Sequence, residues 1–176
     1  MESFVVSKML GKDIDAIMAT LSECLGKGYI DANELGHDDG AVLVCKNKRG
    51  ELCGVAIARF SLPKELEKLV GIRGSGFLKS VAVNESYRNR GIGMLLATAC
   101  VEWFESNGIK TVDSLAWVRG GKCQSEHMLE RCGFKRNMIV ENFWLADSME
   151  RNYYCPECGQ PCVCPAVLFT RTSDAR

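Results

Sequence analysis

The sequence predicts an α/β fold organised as a single domain over residues 1–176. Three observations carry this expectation. Apolar runs of strand length alternate with segments of helical periodicity. A strand, a glycine-bearing turn and an amphipathic helix follow one another directly between residues 78 and 107, and another apolar strand comes next. Apolar content of 47% and charged content of 25% in 176 residues allow a sizeable core.

Residues 3–9 are a short apolar-rich run and form the first expected strand. Asp13 can cap a helix that carries Ile14, Ile17, Met18, Leu21 and Leu25 on one face, and Gly26-Lys27-Gly28 stops it. Residues 29–40 read as irregular and acidic. Residues 41–46 and 52–60 are two strands around an Asn47-Lys48-Arg49-Gly50 turn. Residues 61–76 form a longer connection, in which Pro63 can open a short helix through Val70. A strand at 77–83 precedes a helix at 94–107, with Leu95, Leu96, Ala99, Cys100, Trp103 and Phe104 as its expected apolar face. A strand at 109–118, a helix at 124–132 ended by Gly133, a strand at 134–140, a short helix within 142–153 and a last strand at 166–170 complete the reading.

Charge and composition narrow the function classes. The 22 acidic and 22 basic side chains cancel, so there is no global electrostatic attraction to nucleic acid or to an anionic membrane. No apolar run approaches the roughly 18 residues of a membrane helix. The first six residues lack the basic and apolar regions of a secretory signal, so the expected location is cytoplasmic. A disulfide framework is then unexpected, and Cys24, Cys45, Cys53, Cys100 and Cys132 read as small core residues. The sequon-like Asn84-Glu85-Ser86 carries no weight in that setting.

The turn Arg88-Asn89-Arg90-Gly91-Ile92-Gly93 has the form of an anion cradle. A helix N-terminus offers unpaired N–H donors and the positive end of the dipole. Glycine leaves the backbone bare enough for phosphate oxygens to reach those donors. By itself the hexamer reads equally as a strand-to-helix turn with solvated charges. Together with Val81-Ala82-Val83 before it and Leu129-Glu130-Arg131-Cys132-Gly133-Phe134 after the next strand and helix, it resembles the GNAT acetyltransferase superfamily. The resemblance spans most of residues 3–140. It implies a twisted mixed sheet with flanking helices, splayed near the Val81–Val83 strand. It implies acetyl-CoA as co-substrate, with backbone groups of Val81, Ala82 and Val83 on the acetyl carbonyl and pantetheine amides. Arg88, Asn89, Arg90, Gly91, Ile92, Gly93 and Met94 would hold the pyrophosphate. The implied reaction is direct transfer of acetyl to an amine.

The family pattern is not complete. An acid at the end of the fifth strand, an Asn at the next helix start and a Tyr near that helix's end are usual. Counting back from Gly133-Phe134 without gaps, those positions hold Trp117, Lys122 and Leu129. A positioned general acid contributes roughly 10²- to 10⁴-fold. A thiol of pKa about 8.5 is already a tolerable leaving group near neutrality. Loss of the Tyr therefore slows transfer without forbidding it. Ser125, one turn before Leu129, is a substitute acid or else a packing residue, while His127 points away. A base is the harder need, because an amine of pKa about 10.4 is mostly protonated. Glu34 or His37, in the acidic 31–39 stretch, are candidates, with a solvated surface loop as the plain alternative.

Cys155, Cys158, Cys162 and Cys164 lie within ten residues. Cys-x-x-Cys-Gly has the knuckle form, and four thiolates satisfy tetrahedral Zn²⁺, so residues 155–164 are expected to hold a closed structural zinc site. The Cys-x-Cys half is less usual. A redox dithiol, paired disulfides or a metal shared across a dimer are the competing readings. The leading function is acetyl-CoA-dependent N-acetyltransfer to a small amine or a protein amine. A non-catalytic acyl-CoA-binding or regulatory module and a zinc-stabilised interaction domain are the alternatives. A homodimer stays open.

Overall fold

The computed structural model describes residues 3–71 and 75–173. In chain order the elements are β1 (Phe4–Lys8), α1 (Ile14–Leu25), α2 (Ala32–Leu35), β2 (Gly40–Asn47), β3 (Leu52–Arg59), α3 (Lys64–Val70) and β4 (Gly76–Val83). They continue with α4 (Ile92–Ser106), β5 (Thr111–Arg119), β6 (Lys122–Cys123), α5 (Glu126–Arg131), β7 (Lys135–Val140), α6 (Leu145–Glu150) and β8 (Ala166–Thr172). The sheet order is β1-β2-β3-β4-β5-β8-β7, with β6 folded back on β5. Among the described residues only β4 and β5 pair in parallel; the other neighbours are antiparallel. This is the open, mixed α/β sheet that the sequence predicts.

β2 and β3 are apolar at nearly every position because both faces of the sheet are covered. Ala41, Leu43, Cys45, Ala56 and Ala58 face α4, which answers with Ile92, Leu96, Ala97, Cys100 and Phe104. Val42, Val44, Val55 and Ile57 face α1, which answers with Ile17 and Leu21. Farther along that second face, Leu66 of α3 and the rings of Phe143 and Trp144 cover Phe77, Leu115, Ala166 and Leu168. Gly76 shows how close α4 comes, since a Cβ there would stand 2.4 Å from Phe104 Cε1.

Local chemistry sets the turns. Asn47 closes the β2–β3 hairpin by accepting from the amides of Arg49 and Glu51 at 2.9 and 3.1 Å. Four expectations are corrected. Residues 31–36 are not irregular: Asp31 and Glu34 form a reciprocal capping box around α2. The buried stripe of α4 runs through Ile92, Leu96, Ala97, Cys100, Val101 and Phe104, whereas Leu95 is exposed. Ala99 and Trp103 pack, partly buried, at the margin of that core as expected, and Trp103 also stacks on Phe60 with ring centroids 4.8 Å apart. Lys122 lies in β6, ahead of the helix, because a two-strand turn intervenes; the residue at the start of α5 is Ser125. Of the five cysteines expected in the core, Cys45, Cys53 and Cys100 are buried, while Cys24 and Cys132 are half-exposed.

Candidate active site

The site arises where two neighbouring strands part. β4 and β5 pair only at Gly76 with Val112, Phe77 with Asp113 and Leu78 with Ser114. At the end of that pairing Ser114 Oγ donates to the Leu78 carbonyl at 3.0 Å. Beyond it β4 stays with β3 as far as Val83, and β5 stays with β8 as far as Trp117. A bulge helps to bend β4: Ile57 pairs with Ser80 and Ala58 with Leu78, which leaves Lys79 as the extra residue. The wedge between the strands is a cavity of about 310 Å³.

Along β4 and at the turn into α4 the cavity is lined by Val81, Ala82, Val83, Arg88 and Gly93, five of the ten residues expected to meet a cofactor. Asn89, Arg90, Gly91, Ile92 and Met94 form the turn into α4 and its start. Asn89 and Gly91 take the left-handed conformation, at φ 60° and 80°. This backbone suits Asn and Gly, and it directs successive amides toward one side. The first intrahelical bond runs from the Leu95 amide to the Gly91 carbonyl at 3.0 Å. The amides of Ile92, Gly93 and Met94 are therefore the orphan donors of the helix start. Ile92's side chain is core, so only its backbone can serve a ligand. Arg88 Nε donates to the Val83 carbonyl at 3.2 Å, and Arg90 Nη2 donates to the Ser86 carbonyl at 2.9 Å.

The opposite side of the wedge is aromatic. Tyr29, Trp117, Trp144 and Tyr153 line it. The Tyr29 hydroxyl lies 3.1 Å from Ser80 Oγ, and its ring meets Tyr153 edge-on at 5.9 Å. Burial pushes Tyr29 up to about 12, against the pull of Ser80. Tyr153 is held there because the Tyr154 amide donates to the Lys27 carbonyl at 3.0 Å, tying the α1–α2 loop to the C-terminal loop.

The three candidate catalytic residues are dispersed. Ser125 lines the cavity at the start of α5. His37 is exposed and is not among the lining residues. Glu34 lies behind Lys79, with one carboxylate oxygen 3.1 Å from Lys79 Nζ and the other 2.5 Å from Arg151 Nη1. Burial acts to raise its pKa, but the Asp31 amide, Arg151 and Lys79 overcome this and hold it at about 2. Lys79 is nevertheless below the ordinary lysine range, because its burial outweighs the attraction of Glu34. A carboxylate held in this way is a poor proton acceptor; what it does is fix Lys79 and Arg151. Tyr29, Lys79, Arg119, Trp144 and Tyr153 were not anticipated at the site. The polar Lys79-Ser80 pair inside the otherwise apolar strand 76–83 was the one signal that pointed there.

Cys155, Cys158, Cys162 and Cys164 converge behind this aromatic wall, with their sulfurs all within 4.8 Å of one another. None is in a disulfide. The Cys155 amide bonds the Gly159 carbonyl at 3.1 Å and the Gly159 amide bonds the Cys155 carbonyl at 2.9 Å, closing a tight turn. Ser148 Oγ accepts from the buried Cys162 amide at 2.8 Å. The cluster packs on Tyr29, Trp117 and Trp144, so the cysteine loop forms the back of the cavity wall.

The profile of the Acetyltransferase (GNAT) family matches residues 15–134. No curated protein matches the chain. Among solved structures, the chain is similar to the ribosomal-protein-S18-alanine N-acetyltransferase from Escherichia coli, at 16% identity and a TM-score of 0.69, covering 99% of this chain and 97% of that one. It is also similar to the ribosomal-protein-alanine N-acetyltransferase from Brucella melitensis, at 16% identity and a TM-score of 0.70, covering 96% and 99%. A third similar structure is an N-acetyltransferase from Staphylococcus aureus Mu50, at 13% identity and a TM-score of 0.68, covering 97% and 98%. At these identities the structural likeness speaks for the fold.

Proposed function

Since the chain belongs to the GNAT acetyltransferase family, an acyl-CoA-dependent acetyltransferase, we propose that its co-substrate lies in the β4–β5 wedge and that its acceptor amine enters from the aromatic side. The observation that carries this is the end of β4–β5 pairing at Leu78 and Ser114, which opens a cavity continuous with the start of α4. Backbone groups of Val81, Ala82 and Val83, released from pairing with β5, take the acetyl carbonyl and the pantetheine amides. The amides from Asn89 to Met94 take the pyrophosphate, and Arg88 and Arg90 turn from their carbonyl partners to supply positive charge.

The amine nitrogen attacks the thioester carbon, the C–S bond breaks, and the thiolate takes up a proton. Ser125 is the cavity hydroxyl at the start of α5 and is assigned as that donor. The proton leaving the amine passes to water by way of the Ser80 and Tyr29 hydroxyls. Glu34 is assigned to positioning Lys79 and Arg151. A second reading, an acyl-CoA-binding module without turnover, draws on Leu129, a buried side chain where the family commonly has its tyrosine. Thiol release from acetyl-CoA across a panel of amines separates the two: release supports transfer, and binding without release supports the module.

Cys155, Cys158, Cys162 and Cys164 are proposed to hold a structural Zn²⁺. Four sulfurs at about 2.3 Å from a tetrahedral ion stand about 3.8 Å apart. The sulfurs of Cys155 and Cys164 are 3.9 Å apart, and those of Cys164 and Cys158 are 3.4 Å apart. The donor set fits. Such an ion would supply cross-linking of the 155–164 loop and no chemistry, because four thiolates leave no open position.

A further inference from the structure

The two faces of the wedge can be told apart by strand parity. On β5, Ala116 and Val118 pack toward α4, so Trp117 and Arg119 point the other way. Trp117 accordingly belongs to the cluster with Tyr29 and Tyr153. On β4, Ser80 bonds Tyr29 on that same side. Arg119 therefore shares the acceptor face, and it lines the cavity.

The charges that line the cavity are one-sided. Among the described residues Lys79, Arg88 and Arg119 line it, and no Asp or Glu does. Arg88 stands by the phosphate turn. The other two lie over aromatic rings: Lys79 Nζ is 5.8 Å from the Tyr29 centroid, and Arg119 Cζ is 4.5 Å from the Trp117 centroid. The protein's own cations thus cover ring faces that would otherwise attract a cationic acceptor. Lys79 is already matched by Glu34. Arg119 is not closely matched. Among the described residues its one ion pair is with Glu157 at 3.8 Å, beyond hydrogen-bond distance. A planar guanidinium with unspent donors, backed by an indole, suits a carboxylate taken edge-on.

We propose that the acceptor is an amine carrying a carboxylate on an aromatic frame, as in an aromatic amino acid. Arg119 takes the carboxylate, Trp117 and Trp144 flank the ring, and the amino group is turned toward Ser80. Polyamines and lysine-rich peptides are disfavoured, because a second positive charge meets Lys79 and Arg119 while the nearby carboxylate of Glu34 is already paired and lies outside the cavity lining. This rests on the transferase reading above and narrows its substrate class.

The test is thiol release at saturating acetyl-CoA with matched acceptors: phenylalanine against phenethylamine, tryptophan against tryptamine, and spermidine. The amino acids are expected to exceed their decarboxylated partners in kcat/KM by at least about tenfold, the low end for a charge-assisted hydrogen bond. Arg119→Gln is expected to shrink that ratio toward parity, mainly through KM, and Arg119→Lys to restore part of it. Equal or better use of phenethylamine, tryptamine or spermidine overturns this inference alone, as does an undiminished ratio in Arg119→Gln. No thiol release with any of these amines, from protein that binds acetyl-CoA, overturns the transferase reading and this inference with it.

Discussion

Gly93→Ala separates cofactor binding from stability, because the two respond in opposite directions. Gly93 is the second residue of α4 and lies outside the left-handed region, so alanine can adopt its backbone. Alanine gains about 1 kcal/mol of helix propensity over glycine. Against this, the new Cβ would stand 3.3 Å from Met128 Sδ and 3.8 Å from Val83 Cγ2. The first contact is tight, but it is with a flexible thioether that can shift. The net effect on folding lies between neutral and a gain of about 1 kcal/mol, which raises Tm by up to about 2–4 °C in a chain of this size. Binding responds in the opposite way. The Cβ stands between Val83 and Met128, which line the cavity, at the helix start whose amides are assigned to the pyrophosphate. Loss of one charge-assisted hydrogen bond costs about 1.5–3 kcal/mol, or roughly 10- to 150-fold in Kd. Melting the free protein and titrating acetyl-CoA calorimetrically on the same sample reads both quantities. A variant that melts no lower and binds at least tenfold more weakly agrees with the assignment. Unchanged affinity refutes it, and a lower Tm accompanying weaker binding refutes the claim that the position is specific to the cofactor.

Four further outcomes are expected. Purified protein should carry about one zinc per chain by elemental analysis, and a strong chelator should lower its Tm; less than about half an equivalent counts against the site. Ser148→Ala leaves the buried Cys162 amide without its acceptor and should cost about 1–3 kcal/mol by denaturant unfolding. Ser125→Ala should lower kcat by about 10²-fold at unchanged acetyl-CoA affinity if Ser125 protonates the leaving thiolate, and an unchanged kcat removes it from that role. The depressed pKa of Glu34 contributes stability that is fully present above about pH 4.5 and is lost as pH falls toward about 2. Acid unfolding followed by circular dichroism should be flatter across that window in Glu34→Gln, and identical profiles would show that the ion pair is not formed.

What the sequence reveals is what local pattern encodes. Val81-Ala82-Val83 and the 88–93 turn are contiguous, so the strand, the turn and the helix start could be read together. The same holds for the four cysteines, which lie within ten residues and whose sulfurs come within 4.8 Å of one another. The aromatic wall is different. Tyr29 comes from the α1–α2 loop, Trp117 from β5, and Trp144 and Tyr153 from the segment before the cysteines; only the fold brings them together. Lys79 reached the cavity through a bulge, which no periodicity announces. Glu34 stood out for its charge, but its two cationic partners are 45 and 117 residues away, and they turn a candidate base into an anchor. On α4 the periodicity finds Leu96, Cys100 and Phe104 but takes Leu95 for Ala97, because that helix is apolar nearly all round. Lys122 was misplaced because counting without gaps cannot see the β5–β6 turn.

The central claim is that the wedge between β4 and β5 is an acyl-CoA site. Calorimetric titration of acetyl-CoA into the folded protein tests it most directly. One site per chain with micromolar affinity, abolished by Gly93→Trp in a protein that still melts cooperatively, is the predicted result. No heat of binding from folded wild-type protein, or undiminished binding in Gly93→Trp, would contradict it.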